Sequence, residues 1–280
     1  MPADTIHHYT DINTLALILK SRTIRFNRLD QLDDITEGTA FTRLKLEKFF
    51  FVSCWTQDDE ESLPQWNMYT TGMAGLRISL PTKMFNYKPL AIPETITHIE
   101  QGSFLSPIPF EKMFGESHFI LPMFLGEKHF ARKVEYVPDF VERKNQAIQI
   151  DSIDSEWRIS DPTGIAALKS PDWAFQKEYR FVLFILPSSP IPKDDNFFIQ
   201  LSERLPSIVK TSLYYGKGPD FTFFDVDLSQ TAIDNINITT GPLCTEGDFL
   251  TVESLLEKYT SSGKVERSKF TETIRRPRRS

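Results

Sequence analysis

The chain has only two cysteines in 280 residues, Cys54 and Cys244. That excludes a disulfide scaffold and a four-cysteine zinc module, and it suits a reducing, cytoplasmic setting. No apolar run reaches membrane-spanning length, so no membrane partner is expected, and Met1 to Thr10 lacks a basic-then-apolar signal pattern. There is no GxGxxG and no phosphate-loop motif; Gly216-Lys217-Gly218 is too short and reads as a hairpin turn. The five histidines, His7, His8, His98, His118 and His129, form no HExxH or other ligand spacing, and no metal is expected. Internal repeats and low-complexity tracts are also missing.

What is present is a globular composition, with 40% hydrophobic and 25% charged residues. The 23 phenylalanines serve cores and can also line deep pockets. The net charge of −6 is unevenly spread. Residues 264–280 hold seven basic and two acidic side chains, so the remainder is more acidic than the total. An acidic body lacks the broad basic face of a general DNA binder. The basic end, with Arg275-Arg276-Pro277-Arg278-Arg279, reads as a flexible tail that can touch phosphate or an acidic partner. The organisation expected is one α+β domain over 1–263 and a flexible tail over 264–280.

Residues 5–10 read as a strand with Ile6 and His8 on one face and His7 and Tyr9 on the other. Asp11 can cap a helix over 12–20, where Ile12, Leu15, Ile18 and Leu19 fall at helical spacing. Residues 23–27 alternate as a strand, and the polar stretch Arg28 to Gly38 reads as a surface loop. The continuous apolar run Phe49 to Trp55 is typical of a buried strand. Pro64 can open a helix through Tyr69, and Leu76, Ile78 and Leu80 alternate in a further strand. Residues 133–136 read as a brief strand, and 139–169 as polar and partly helical. Phe175 to Leu186 carries the clearest strand signal, Ile208 to Tyr215 a weaker one, and 249–259 an amphipathic helix. Without steady strand–helix alternation, this order predicts an α+β fold whose sheet is mainly antiparallel.

Two residues stand out chemically. His8 lies near a strand end, where a cleft can form, although a half-buried histidine bonded to backbone is an equal reading. Glu178 opens an apolar strand, where a carboxylate must be paired or hydrogen-bonded. Arg180, on the same face, can pair with it. The alternatives are a structural Glu–Arg pair and a carboxylate held in a cleft against developing positive charge. Trp55, Trp66, Tyr69 and Trp173 are core candidates that can also stack on flat rings. Cys54, inside the most apolar run, reads as a buried thiol and not a nucleophile.

Three stretches carry a resemblance: His8-Tyr9-Thr10; Ser53-Cys54-Trp55 with Trp66-Asn67-Met68-Tyr69 and Gly75; and Lys169 with Trp173 and Glu178-Tyr179-Arg180. Over most of residues 5–245 the chain resembles a widespread bacterial family of unknown function. Its opening also resembles ADP-ribosyltransferases, which often use a His–Tyr–Glu set, or Arg–Ser–Glu in other branches. The resemblance implies an ADP-ribosyltransferase-like α+β fold and NAD as substrate, with Glu178 catalytic. It places His8, Thr10, Ser53, Trp66, Tyr69 and Arg180 among the NAD-binding residues. His8 would contact a ribose hydroxyl, and Tyr69 or Trp66 would stack on nicotinamide. Ser53 suits the other branch, so the middle position stays open. Arg25 and Arg77 are candidates for the pyrophosphate.

The implied reaction cleaves the nicotinamide–ribose bond through an oxocarbenium-like cation and needs no metal. The acceptor would be a macromolecule, RNA or DNA slightly ahead of protein. Relatives of this kind are often toxins or phage-defence effectors, so a neutralising antitoxin is a plausible partner. The alternatives are a non-enzymatic interaction module and an NAD glycohydrolase without acceptor. The enzyme reading requires His8, Tyr69 or Trp66, and Glu178 to converge on one pocket of roughly 300–1,000 Å³. It also requires Glu178 to be partly exposed there and not sealed by Arg180.

Overall fold

The structure, a computed structural model, describes residues 5–39, 44–89, 105–149, 156, 158–187 and 196–275. Its centre is a ten-stranded, mainly antiparallel sheet with flanking helices. In chain order the strands are β1 (Thr5–Thr10), β2 (Thr23–Arg28), β3 (Phe50–Thr56), β4 (Leu76–Pro81), β5 (His118–Ile120), β6 (Ala131–Lys133), β7 (Glu178–Pro187), β8 (Phe223–Asp227), β9 (Asn237–Thr240) and β10 (Lys264–Arg267). The path runs β8-β2-β3-β1-β4-β9-β10, and β7 lies on the other side of β3, carrying β5 and β6 in turn. The helices used below are α1 (Ile12–Ser21), α2 (Ile35–Thr39), α3 (Leu63–Tyr69), α4 (Phe197–Tyr214) and α5 (Glu246–Tyr259).

Strand β3 is apolar because it lies inside the sheet. Phe50, Phe51 and Val52 are buried, and β7 pairs along its full length, from Glu178 opposite Thr56 to Phe184 opposite Phe50. Phenylalanines fill the space beside it: Phe85 meets Phe181 edge-on at 4.9 Å and Phe130 at 5.3 Å. Helix α1 buries Leu15, Ile18 and Leu19, as its spacing predicts, and packs against α5. A reciprocal capping box between Thr245 and Asp248 starts α5.

The other edge of β3 is shared by two strands, and this creates the site. β2 pairs with its beginning, Asn27 opposite Val52 and Arg28 opposite Phe51. β1 meets it only at its end, His7 opposite Thr56, and otherwise pairs with β4. Between these contacts the stretch Ser53-Cys54-Trp55 has no strand partner on that edge.

Several sequence expectations are corrected. Ile208 to Tyr215 is the end of a helix, not a strand. Phe197, Leu201, Leu205 and Val209 recur every four residues, so the whole 18-residue stretch buries one helical stripe. Gly216, at φ 60°, therefore follows a helix end and is not a hairpin turn. The strand expected from Phe175 begins at Glu178. Ser170 and Pro171 start a helical turn over Pro171–Gln176, and Lys177 takes left-handed angles before the strand opens. The stretch 28–38 is not a plain surface loop, since it contains α2 with Glu37 fully buried.

The tail does not begin at 264. Lys264–Arg267 extends the sheet as β10, parallel to β9, giving the edge of β9 a hydrogen-bonding partner. Beyond it, Ser268 and Lys269 bond the carboxylates of Glu61 and Glu60. The arginine-rich end at 276–280 lies outside the described residues.

Candidate functional site

A cavity of about 260 Å³ opens at the gap in the sheet where β1 and β2 leave the edge of β3. Because the strands separate there, residues from both faces of β1 reach it, His7 and Tyr9 from one and His8 from the other. Cys54, Trp55 and Thr56 come from β3, Glu178 from the start of β7, and Tyr69 from α3. Gln31, Leu32 and Asp33 form a wall, with Lys169 and Gln176 behind it.

His8 repairs part of the broken ladder. Its Nδ1–H donates to the Cys54 carbonyl at 2.9 Å. A carbonyl oxygen can only accept, so the proton sits on Nδ1, and Nε2 of the neutral ring carries the lone pair. Burial lowers the His8 pKa, which outweighs the opposing effect of that carbonyl, so the ring is neutral at physiological pH. Trp55 lies tilted against it at 5.2 Å between ring centres.

Behind the cavity lies a buried ionic cluster. Arg180 is fully buried between two carboxylates. Its Nε donates to Glu178 Oε1 at 2.8 Å and its Nη2 to Glu178 Oε2 at 3.0 Å. The same guanidinium forms a second fork with Glu37, including Nη2 to Oε2 at 3.0 Å, and also donates to the Ala166 carbonyl. Lys169 Nζ lies 3.4 Å from Glu178 Oε2 and 3.7 Å from Glu37 Oε2. Burial alone would raise the Glu178 pKa, but Arg180 and Lys169 outweigh it and hold the carboxyl at about 2. Glu178 is thus a permanent anion at neutral pH.

A chain of hydrogen bonds runs from this cluster to the mouth. Lys169 Nζ donates to Gln176 Oε1 at 2.9 Å. Gln176 Nε2 donates to the Tyr69 hydroxyl, which donates to Asp33 Oδ2 at 2.8 Å. The Tyr69 pKa is raised first by burial and then by Asp33, so the phenol keeps its proton.

The sequence-predicted residues divide. His8, Tyr69 and Glu178 meet at the cavity, and only β3 separates the strands bearing His8 and Glu178. The other four do not line it. Thr10 is packed at the end of β1, where its carbonyl would lie 2.4 Å from a Cβ added at Gly75. Ser53 is buried and accepts from Trp55 Nε1 at 3.0 Å. Trp66 is fully buried, edge-on to Tyr9, with Nε1 bonded to Glu61. Arg180 is consumed by Glu37 and Glu178 and has no exposed surface for a phosphate.

Glu178 also departs from expectation. Its residue is only 7% exposed, and Arg180 and Lys169 hold its oxygens through three N–H donors, so the expectation that it be partly exposed and not sealed by Arg180 is not met. What it offers the cavity is fixed negative charge. Arg25 pairs with Asp225 and lies over Phe223, while Arg77 is buried with Nη2 on the Asp59 carbonyl; neither lines the cavity. Cys54 does line it, yet burial and then Glu178 raise its thiol pKa well above the ordinary range, so it is no thiolate nucleophile.

Comparison with known protein families, curated proteins and solved structures finds no match to this chain. Sequence reasoning missed Asp33, Glu37 and Gln176. The one signal in the sequence is the acidic density of 30–37, a pattern equally typical of a solvated loop. Among the described residues no group of His, Cys, Asp and Glu is arranged to hold a metal. No described helix is long and apolar enough to cross a membrane.

Proposed function

We propose that this chain binds NAD by its nicotinamide–ribose end in the β1/β3 gap and transfers ADP-ribose to a macromolecule. The observation that carries the reading is the meeting of His8, Tyr69 and Glu178, from three distant elements, at one cavity. The volume of about 260 Å³ falls below the expected range. It suits one ring and its sugar, with the rest of an extended dinucleotide lying outside.

The chemistry follows from the states of the groups. His8 Nε2, the free acceptor of a neutral ring, takes a ribose hydroxyl. Tyr69 supplies the aromatic wall. The C1′–N bond breaks with its electron pair leaving on nicotinamide, and C1′ gains positive charge. Glu178, held by Arg180 and Lys169 and only slightly exposed, lends fixed negative charge from the cavity wall without changing protonation. An acceptor oxygen or nitrogen then attacks C1′ and releases its proton to solvent. An ADP-ribosyltransferase-like arrangement of the sheet belongs to the same proposal, as do nucleic acid as the slightly favoured acceptor, a toxin or antiviral role and a neutralising partner.

The test is NAD labelled in its adenylate part, incubated with the protein and cell extract. Nicotinamide release with label on a macromolecule is expected. Free ADP-ribose alone would indicate hydrolysis, and no release with any extract would overturn the reading. A second reading, binding without reaction, is favoured by the occupied oxygens of Glu178. It predicts that Glu178→Gln lowers the melting temperature and that no NAD turnover accompanies the wild-type fold.

A further inference from the structure

The hydrogen bonds along the cavity wall have only one possible direction. Lys169 at one end has donors and no acceptor, and Asp33 at the other, as a carboxylate, has acceptors and no donor. Lys169 must therefore donate to Gln176 Oε1, which turns Gln176 Nε2 toward Tyr69. The Tyr69 hydroxyl, accepting from Gln176, is left to donate to Asp33 Oδ2. Asp33 Oδ1 is held in turn by the backbone N–H of Asp34 at 3.1 Å. A buried ammonium thus fixes an exposed carboxylate at the mouth, through an aromatic side chain that also lines the cavity.

The charges do not cancel. Among the described residues, Asp33 and Glu178 are the acids lining the cavity, and Lys169 is the base. Behind them Arg180 is matched by Glu37, and Lys144 and Asp34, both buried, add one charge of each sign. His7 and His8 have lowered pKa values, burial being the main cause for both, and add no positive charge at neutral pH. Among these described groups the balance is an excess of one negative charge, beside aromatic surface from Tyr69 and Trp55.

We propose that this cavity selects a cationic aromatic ring over its neutral counterpart, with Asp33 as the specificity-determining carboxylate and Lys169, Gln176 and Tyr69 as the residues that position it. The proposal deepens the NAD reading, because the oxidised nicotinamide ring carries a positive charge that the reduced ring and free nicotinamide lack. It concerns recognition and not bond cleavage, so it can fail independently of that reading.

The probes are 1-methylnicotinamide, which is cationic, and nicotinamide, which is neutral, titrated into the full chain by calorimetry or ligand-observed NMR. The cation should bind about tenfold tighter, as for a unit charge near a partly exposed carboxylate. Raising salt from about 50 mM to about 500 mM should shrink the preference, because an exposed charge is screened. Asp33→Asn should bring the two affinities within about twofold. Tyr69→Phe keeps the ring but frees Asp33, and should weaken the preference partway; Gln176→Leu should do the same. Adding Gln176→Leu to Tyr69→Phe should then change little, since both break one chain. Equal affinities in the wild type, binding of neither ring, or a preference that survives Asp33→Asn would overturn the proposal. Cation preference with no NAD cleavage would leave it standing and remove the transfer reading; NAD cleavage with equal ring affinities would do the reverse.

Discussion

Glu37→Gln should destabilise the chain by about 3–5 kcal/mol, the usual result of removing one partner from a buried ion pair. Glu37 and Arg180 both have no exposed surface, and they lie 143 residues apart in the chain. Within the four-residue cluster, Glu37 and Glu178 balance Arg180 and Lys169. The substitution leaves two cations facing one carboxylate where water cannot compensate. For a chain of this size the loss corresponds to a fall in melting temperature of roughly 10 °C. The assay is urea denaturation followed by circular dichroism, with thermal melts in parallel. The double variant Glu37→Leu with Arg180→Leu removes one charge of each sign and leaves Glu178 with Lys169. It should be less destabilised than the two single variants summed, by about 1–3 kcal/mol. A Glu37→Gln variant within about 1 kcal/mol of wild type, or strictly additive effects, would show that the cluster does not hold α2 to β7.

Acid should unfold the protein in a definite window. The Glu178 pKa is held near 2, below its ordinary 4.5, so its stabilisation is full above about pH 4.5 and lost as pH falls toward 2. Stability measured against pH should fall over that window in the wild type and less steeply in Glu178→Gln. His8 gives a second acid-sensitive contribution, because its lowered pKa favours the neutral ring in the folded state. That part begins to fade as pH drops below about 6.5, and NMR of the imidazole should show the proton on Nδ1 above it. In a Cys244→Ser background, the half-buried Cys54 should react with a thiol reagent more slowly in the folded protein than in urea, because its thiol pKa is raised; equal rates would refute that. Gly75→Ala would place a methyl 2.4 Å from the Thr10 carbonyl and 2.5 Å from Thr70 Cβ, so a loss of about 1–3 kcal/mol is expected in denaturation.

Local pattern alone determined the strands around Tyr9, Val52 and Val182 and the helix through Leu15. Each announces itself by apolar spacing over a few residues, and burial of those faces is what the sheet needs. The same local signals singled out His8, Tyr69 and Glu178, an imidazole near a strand end, an aromatic beside polar neighbours, and a carboxylate at the start of an apolar strand. Tertiary structure decided what those residues do. The cavity exists because β1 and β2 leave the same edge of β3 at different points, a matter of strand pairing that no periodicity records. Glu37 looked like one more solvated acid until α2 placed it on Arg180. Asp33 and Gln176 acquired a role only when Tyr69 came between them. Apolar side chains declare their burial by spacing because burial follows the geometry of one element. A polar side chain is buried only with a partner, and here those partners come from distant parts of the chain.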